Sequence, residues 1–224
     1  MAARPALEAE LRQIRERVKE MGELIVATIC GAIRTLKEQD SEAARALIAA
    51  DERIDDMENE INDLCLRFLA TQQPLAGDLR YVISIMKAIR DLERIGDHCE
   101  DIAKYTLRFE NEVIFKELVD IPRMAEMSAN MVRNAIDAFV HRDLRLARRV
   151  WKADEEVDEI FRDLYDELLE IAIKDTEHTK QCIMLLFIAA HLERIADYAT
   201  NICEETVFLL EGNADMKRGA GYSE

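Results

Sequence analysis

Two pairs of acidic residues four apart in the first half of this chain have counterparts about one hundred residues further on. Asp51 and Asp55, then Glu93 and Asp97, fall in the first half; Asp154 and Asp158, then Glu193 and Asp197, fall in the second. On a helix, i,i+4 spacing turns both carboxylates of a pair to one face. Like charges placed so repel by a few tenths of a kcal/mol, so a repeated pattern asks for a compensating partner. Carboxylates converging without thiolates suit a hard cation: Mg²⁺, Mn²⁺, Ca²⁺ or iron. The pairs also border apolar positions, since Ile54 lies beside Asp55 and Leu92 and Ile95 flank Glu93. If the helices carrying them are neighbours, four carboxylates converge on one side of each half. The competing reading is a solvated helix shoulder, with Arg94 neutralising Asp97 one turn away.

Other chemistries find less support. No Glu stands three residues before His98, His141, His178 or His191, as a ferritin-like di-iron centre requires. His98 follows Asp97, but its counterpart is Tyr198, so a histidine ligand would serve one half only. His and Cys are not grouped at zinc-ligand spacing. No glycine-rich phosphate loop occurs, and no Ser or Cys nucleophile has a base beside it in a motif. The protein is therefore expected not to be an enzyme; the alternative is a carboxylate-bridged metal-storage or metal-dependent enzyme. Trp151 is expected to pack. The five cysteines, Cys30, Cys65, Cys99, Cys182 and Cys203, form no CxxC pair and are expected as small core residues of a reducing compartment.

Long helices must position these groups. Hydrophobic residues make up 49% of the 224, yet there are only 7 Gly and 3 Pro, and aromatics are 6%. So few breakers and so few aromatics favour an all-α chain. Helices are expected over 5–38, 41–71, 74–111, 119–141, 144–174 and 177–211, with Asp40 or Ser41 and then Asp143 as N-caps and Gly212 as the last stop. Residues 54, 57, 61, 64 and 68 show bundle-helix spacing, as do Leu92, Ile95, Cys99, Ile102 and Tyr105. The net charge of −16 disfavours nucleic acid and anionic lipid as partners. The apolar runs are too short to span a bilayer, and a cytoplasmic, soluble chain is expected.

The repeat extends beyond the acidic pairs. "DLERIGDHCEDI" (91–102) matches "HLERIADYATNI" (191–202), and "DSEAARALIAADERID" (40–55) matches "DLRLARRVWKADEEVD" (143–158). Repetition of about one hundred residues predicts two tandem, pseudo-symmetric three-helix bundles, six long helices in all. The halves are assigned to residues 1–115 and 116–212, with a flexible C-terminal tail at 213–224.

The chain resembles the PhoU family, on "ADERID" and "KADEEVD", "TQQPLAGDLR" (71–80), "DLERIGDH" (91–98) and "LLFIAAHLERIADYATNICEE" (185–205). The resemblance covers about residues 7 to 212 and implies two similar three-helix bundles related by a pseudo-two-fold. It implies a negative regulator of phosphate uptake and of the phosphate-starvation response. Such a protein acts by contact between a phosphate ABC transporter (its ATPase subunit) and a sensor histidine kinase. It also implies metal clusters on acidic motifs, which land on Asp51, Asp55, Glu93, Asp97, Asp154, Asp158, Glu193 and Asp197. The expected cofactor is a divalent-metal or iron cluster (Fe, Mn, Mg or Zn), with no organic cofactor. A homodimer is expected, and neither membrane insertion nor direct phosphate binding is. Two departures stand out: Ala196 and Tyr198 replace the family's usual Gly and His, and Asp101 stands where Asn is usual.

Overall fold

The computed structural model describes residues 3–72 and 74–212. These residues form α1 (Ala3–Glu38), α2 (Ser41–Ala50), α3 (Glu52–Gln72), α4 (Ala76–Arg108), α5 (Asp120–His141), α6 (Leu144–Lys174) and α7 (Thr179–Glu211), with no strand among them. The chain is all-α, as expected.

The reversals that set up the two halves are built alike. Gln39 and Arg142 each turn into the left-handed region (φ 51° and 57°) just before a capping aspartate. The Asp40 carboxylate then accepts from the Ala43 N–H at 2.9 Å, and Asp143 accepts from the Arg145 and Leu146 N–H groups at 2.9 and 3.1 Å. Each cap satisfies helix-start donors that have no partner in the helix. Gly212 (φ 73°) closes α7 where the sequence placed the stop.

The second expected helix differs in one respect, because it breaks at Asp51 into α2 and α3. Asp51 N–H donates to Ile48 O at 3.4 Å and Ile54 N–H donates to Asp51 O at 2.7 Å, the i→i+3 bonds of one tightened turn. Asp51 itself keeps helical dihedrals (φ −62°, ψ −35°), so no Gly or Pro marks the place. The third helix is shorter than expected at both ends. It starts at Ala76, because Leu75 before it is extended (ψ 165°), and it stops at Phe109, which is fully buried.

α1, α3 and α4 pack together with α2 against α1 and α4, while α5, α6 and α7 form the second group. The groups join through α1 on α5 and α4 on α7, and one apolar core runs through both. Ile54, Met57, Ile61 and Phe68 are buried at the predicted spacing, with Leu64 partly covered; Leu92, Ile95, Cys99 and Ile102 repeat the pattern on α4. Each such side chain contributes about 1.5–3 kcal/mol of hydrophobic stabilisation. On α1, a Cβ at Gly22 would collide with Ile136 Cδ1, so the missing side chain admits α5 to close contact. Trp151 packs against the core as expected.

The cysteine expectation needs one correction. Cys65, Cys99, Cys182 and Cys203 are buried, but Cys30 is exposed, because Ile29, Ala32 and Ile33 take the inward positions of α1. The tail assigned to 213–224 lies outside the described residues. Among the described residues, no helix is long and apolar enough to cross a membrane.

Candidate metal centres

The tightened turn brings Asp51 to α4, α3 supplies Asp55, and α4 supplies Glu93 and Asp97. Their charges act on one another across the contact of α3 with α4. Burial pushes the Asp51 carboxyl up to about 6, and the charges of Glu100, Asp55 and Asp97 add to it while Lys104 opposes. Burial raises Glu93 to about 7, with Asp97, Glu58 and Asp55 adding. Asp97 is raised by burial first, then by Asp55, Glu100 and Asp101.

The second half repeats the arrangement on α6 and α7. Burial pushes Asp154 up to about 6, with Asp158, Asp197 and Glu193 adding. Glu193 is raised by burial and then by Asp197, with Arg194 opposing; Asp197 is raised by burial against the pull of Arg194. The eight carboxylates singled out in the sequence thus act on one another in two groups of four, although among the described residues only His98, Asp101 and His191 bring ligand atoms within 4.8 Å of one another. Within the second group, Asp154 Oδ1 is buried without a hydrogen-bond partner. A buried anionic oxygen left so is costly unless a cation meets it. An all-oxygen donor set with such an orphan fits a hard cation such as Mn²⁺ or Mg²⁺. The carboxylates named would hold it, and its charge would cancel their repulsion.

The halves differ in their cations. Arg194 lies 3.5 Å from Asp197 and 3.7 Å from Glu193. Its counterpart Arg94 reaches Asp91 at 3.5 Å instead of neutralising Asp97. In the first half Lys104 takes that part, bonded to Glu100 and 3.1 Å from Asp101. Asp101, the departure noted in the sequence, adds its charge to the first cluster as expected; Glu58 and Glu100 were not picked out as members, although Asp55/Glu58 and Asp97/Glu100 stand at i,i+3, the other same-face helical spacing. A separate polar group ties α4 to α7. Ser84 Oγ donates to Glu205 Oε2 at 3.0 Å and Lys87 Nζ to Glu205 Oε1 at 2.8 Å, beside Asp91, which burial pushes up to about 6.

Gly96, where the second half has Ala196, sets how closely α4 approaches Asp51. A Cβ there would meet Ile54 Cδ1 at 3.0 Å and Asp51 Oδ1 at 3.2 Å. Gly96→Ala gains about 1 kcal/mol of helix propensity and loses a similar amount to crowding. Thermal unfolding of the variant is therefore expected within about 1 kcal/mol of wild type. Its first cluster, with Asp51 displaced, is expected to bind Mn²⁺ more weakly while the second binds as before. Equal weakening of both clusters in a calorimetric titration would show that Gly96 does not act through Asp51.

Fold and site together define a helical repeat protein carrying one carboxylate cluster per repeat. The model of the PhoU domain matches it twice, at residues 18–106 and 121–206. The chain belongs to the PhoU family. The phosphate-specific transport system accessory protein PhoU homolog of Clostridium acetobutylicum is 36% identical over 210 residues, covering 93% of this chain and 96% of that protein. The crystal structure of PhoU from Pseudomonas aeruginosa matches with a TM-score of 0.88 at 33% identity, covering 92% of this chain and 99% of that one. The phosphate transport system regulatory protein PhoU from Streptococcus pneumoniae gives 0.86 at 33% identity, covering 92% and 98%.

Proposed function

We propose that this chain is a non-enzymatic accessory protein of phosphate transport. It holds the phosphate-starvation response off while phosphate is plentiful, by contact with the ATPase subunit of a phosphate ABC transporter and with a sensor histidine kinase. The observation that carries this reading is likeness over nearly the whole length, through both repeats, to a protein named as a phosphate-transport accessory protein. The cytoplasm, where an ATPase subunit and a kinase domain are both accessible, is the compartment this reading requires, and a homodimer is the assembly it takes.

Regulation by contact needs a surface that favours one state of its partner, because a binder indifferent to state shifts no equilibrium. The carboxylate clusters supply the cation-dependent part of that surface. Four mutually repelling carboxylates at each helix junction hold their geometry best around a divalent ion, so the ions brace the face on which Asp97 and Asp197 lie.

The test is a phosphate-starvation reporter in cells lacking the gene and grown with ample phosphate. Reporter activity is expected to rise without starvation and to fall again when the wild-type gene is restored. A reporter that stays silent in the deletion strain would overturn the negative-regulator reading.

A further inference from the structure

Where α4 packs on α7, one histidine from each half meets the other. His98 Nδ1 and His191 Nδ1 stand 2.9 Å apart, with ring centroids 5.1 Å apart and planes inclined by 51°. Asp101, one turn beyond His98 on α4, faces the same point. One ring nitrogen from each histidine and one Asp101 carboxylate oxygen all lie within 4.8 Å of one another. All three residues are half-buried. Aromatic rings wall the group, Tyr198 at 5.6 Å from His98 and Tyr105 at 5.8 Å from His191. The cations facing it are Lys104, 3.1 Å from the Asp101 carboxylate, and Arg194 on α7 near His98.

We propose that His98, Asp101 and His191 form a third cation site, one that selects a zinc-like divalent ion and ties the two halves of the chain together. The donor set differs in kind from the carboxylate clusters. Imidazole nitrogen favours Zn²⁺, Co²⁺, Ni²⁺ and Cu²⁺, whereas clustered carboxylates suit hard cations. Two imidazoles and one carboxylate are three ligands of a tetrahedral ion and leave the fourth position for water. At a Zn–N distance of about 2.0–2.1 Å, two nitrogens on a tetrahedral ion stand about 3.3 Å apart. The pair must therefore open by about 0.4 Å from its ion-free separation, at which one Nδ1–H donates to the other ring.

The site cannot be duplicated by the internal repeat. The positions equivalent to His98, Asp101 and His191 hold Tyr198, Asn201 and Asp91. One zinc-like ion per chain is the resulting stoichiometry, against one carboxylate cluster per half. The ion would close α4 onto α7, with Asp101 turned from the repulsion of Asp97 toward the two imidazoles.

Co²⁺, whose visible absorption reports its coordination, tests this on the full chain. Wild type is expected to develop the strong d–d bands of tetrahedral, nitrogen-ligated Co²⁺, saturating at one equivalent and displaced by Zn²⁺. Those bands should persist in Asp97→Asn/Asp197→Asn, which weakens the carboxylate clusters, and disappear in His191→Gln and in His98→Gln. Only weak, octahedral-type absorption in wild type, or strong bands untouched by either histidine variant, would overturn the proposal. Should the variants fold poorly, Cu²⁺ paramagnetic resonance on wild type decides alone: coupling to two imidazole nitrogens supports the site, and coupling to none overturns it.

Discussion

Replacing Asp55 and Asp97 together by Asn is expected to make the cation-free protein more stable while weakening Mn²⁺ binding in the first cluster by about 100-fold or more. The two effects share one cause. In the cation-free protein, Asp97 is raised by burial and by Asp55, and Asp51 and Glu93 feel both charges. Asparagine keeps the shape and removes the repulsion, a gain of about 1 kcal/mol spread over several pairs. With Mn²⁺ present the order reverses. An ion at one hundred times its dissociation constant stabilises the folded state by about 2.7 kcal/mol, and a cluster with two neutral amides gives up most of that. Asp158→Asn with Asp197→Asn is expected to do the same to the second cluster. Its gain in the absence of cation is smaller, because Arg194 already lies 3.5 Å from Asp197. Thermal unfolding with chelator and with Mn²⁺, on wild type and both double variants, makes the comparison. Variants that respond to Mn²⁺ as fully as wild type would remove the carboxylates from cation binding and leave them as solvated helix faces.

How far the sequence could carry this depends on which forces act within a helix and which act between helices. Helix extents, caps and the inward stripe follow from local rules, and Asp40, Asp143, Ile61 and Phe68 behave as those rules require. The duplication was legible because both copies face the same packing problem, which preserves residue types at matching positions. The break at Asp51 was not legible, since it is a tightened turn with helical dihedrals against Gly96 of a helix some forty residues further on. Arg94 illustrates a second limit. Its spacing allows either Asp91 or Asp97; it pairs with Asp91 and lies over the ring of Tyr198 on α7, a contact that no local rule foresees. The meeting of His98 with His191 lies further out of reach. Sequence comparison of the halves sets His98 against Tyr198, whereas packing sets it against a residue with no histidine counterpart. Repetition reveals what each half does for itself and conceals what the halves do for one another.

The pH dependence of stability is expected to invert when a divalent cation is added. Asp51, Asp91 and Asp154 are held up to about 6 and Glu93 up to about 7, each chiefly by burial. Unfolded, these groups titrate near 4. Between those limits the folded chain holds more protons than the unfolded one, so stability falls as pH rises. Their contribution is full below about pH 4 and gone above about pH 7. Two histidines oppose it. Burial lowers His98 to about 4 and also lowers His191, so each favours folding as pH rises toward the ordinary histidine value. The raised carboxylates outnumber them, and Glu93 continues to lose protons where both imidazoles are already neutral. The exposed carboxylates Asp143 and Asp175, held below their usual range by hydrogen bonds, remove stability only at more acid pH. The cation-free protein is therefore expected to be most stable near about pH 5 and to lose on the order of 2 kcal/mol by about pH 7.5, after allowance for solvent screening. For a chain of this length that is roughly 5 °C in Tm. Divalent ions bind only deprotonated carboxylates, so saturating Mn²⁺ should raise stability over the same interval. The two Tm curves, with chelator and with Mn²⁺, are expected to cross. Parallel curves would mean that the groups whose protonation burial controls are not the groups that hold the ion, and the bracing role of the clusters would fall with them.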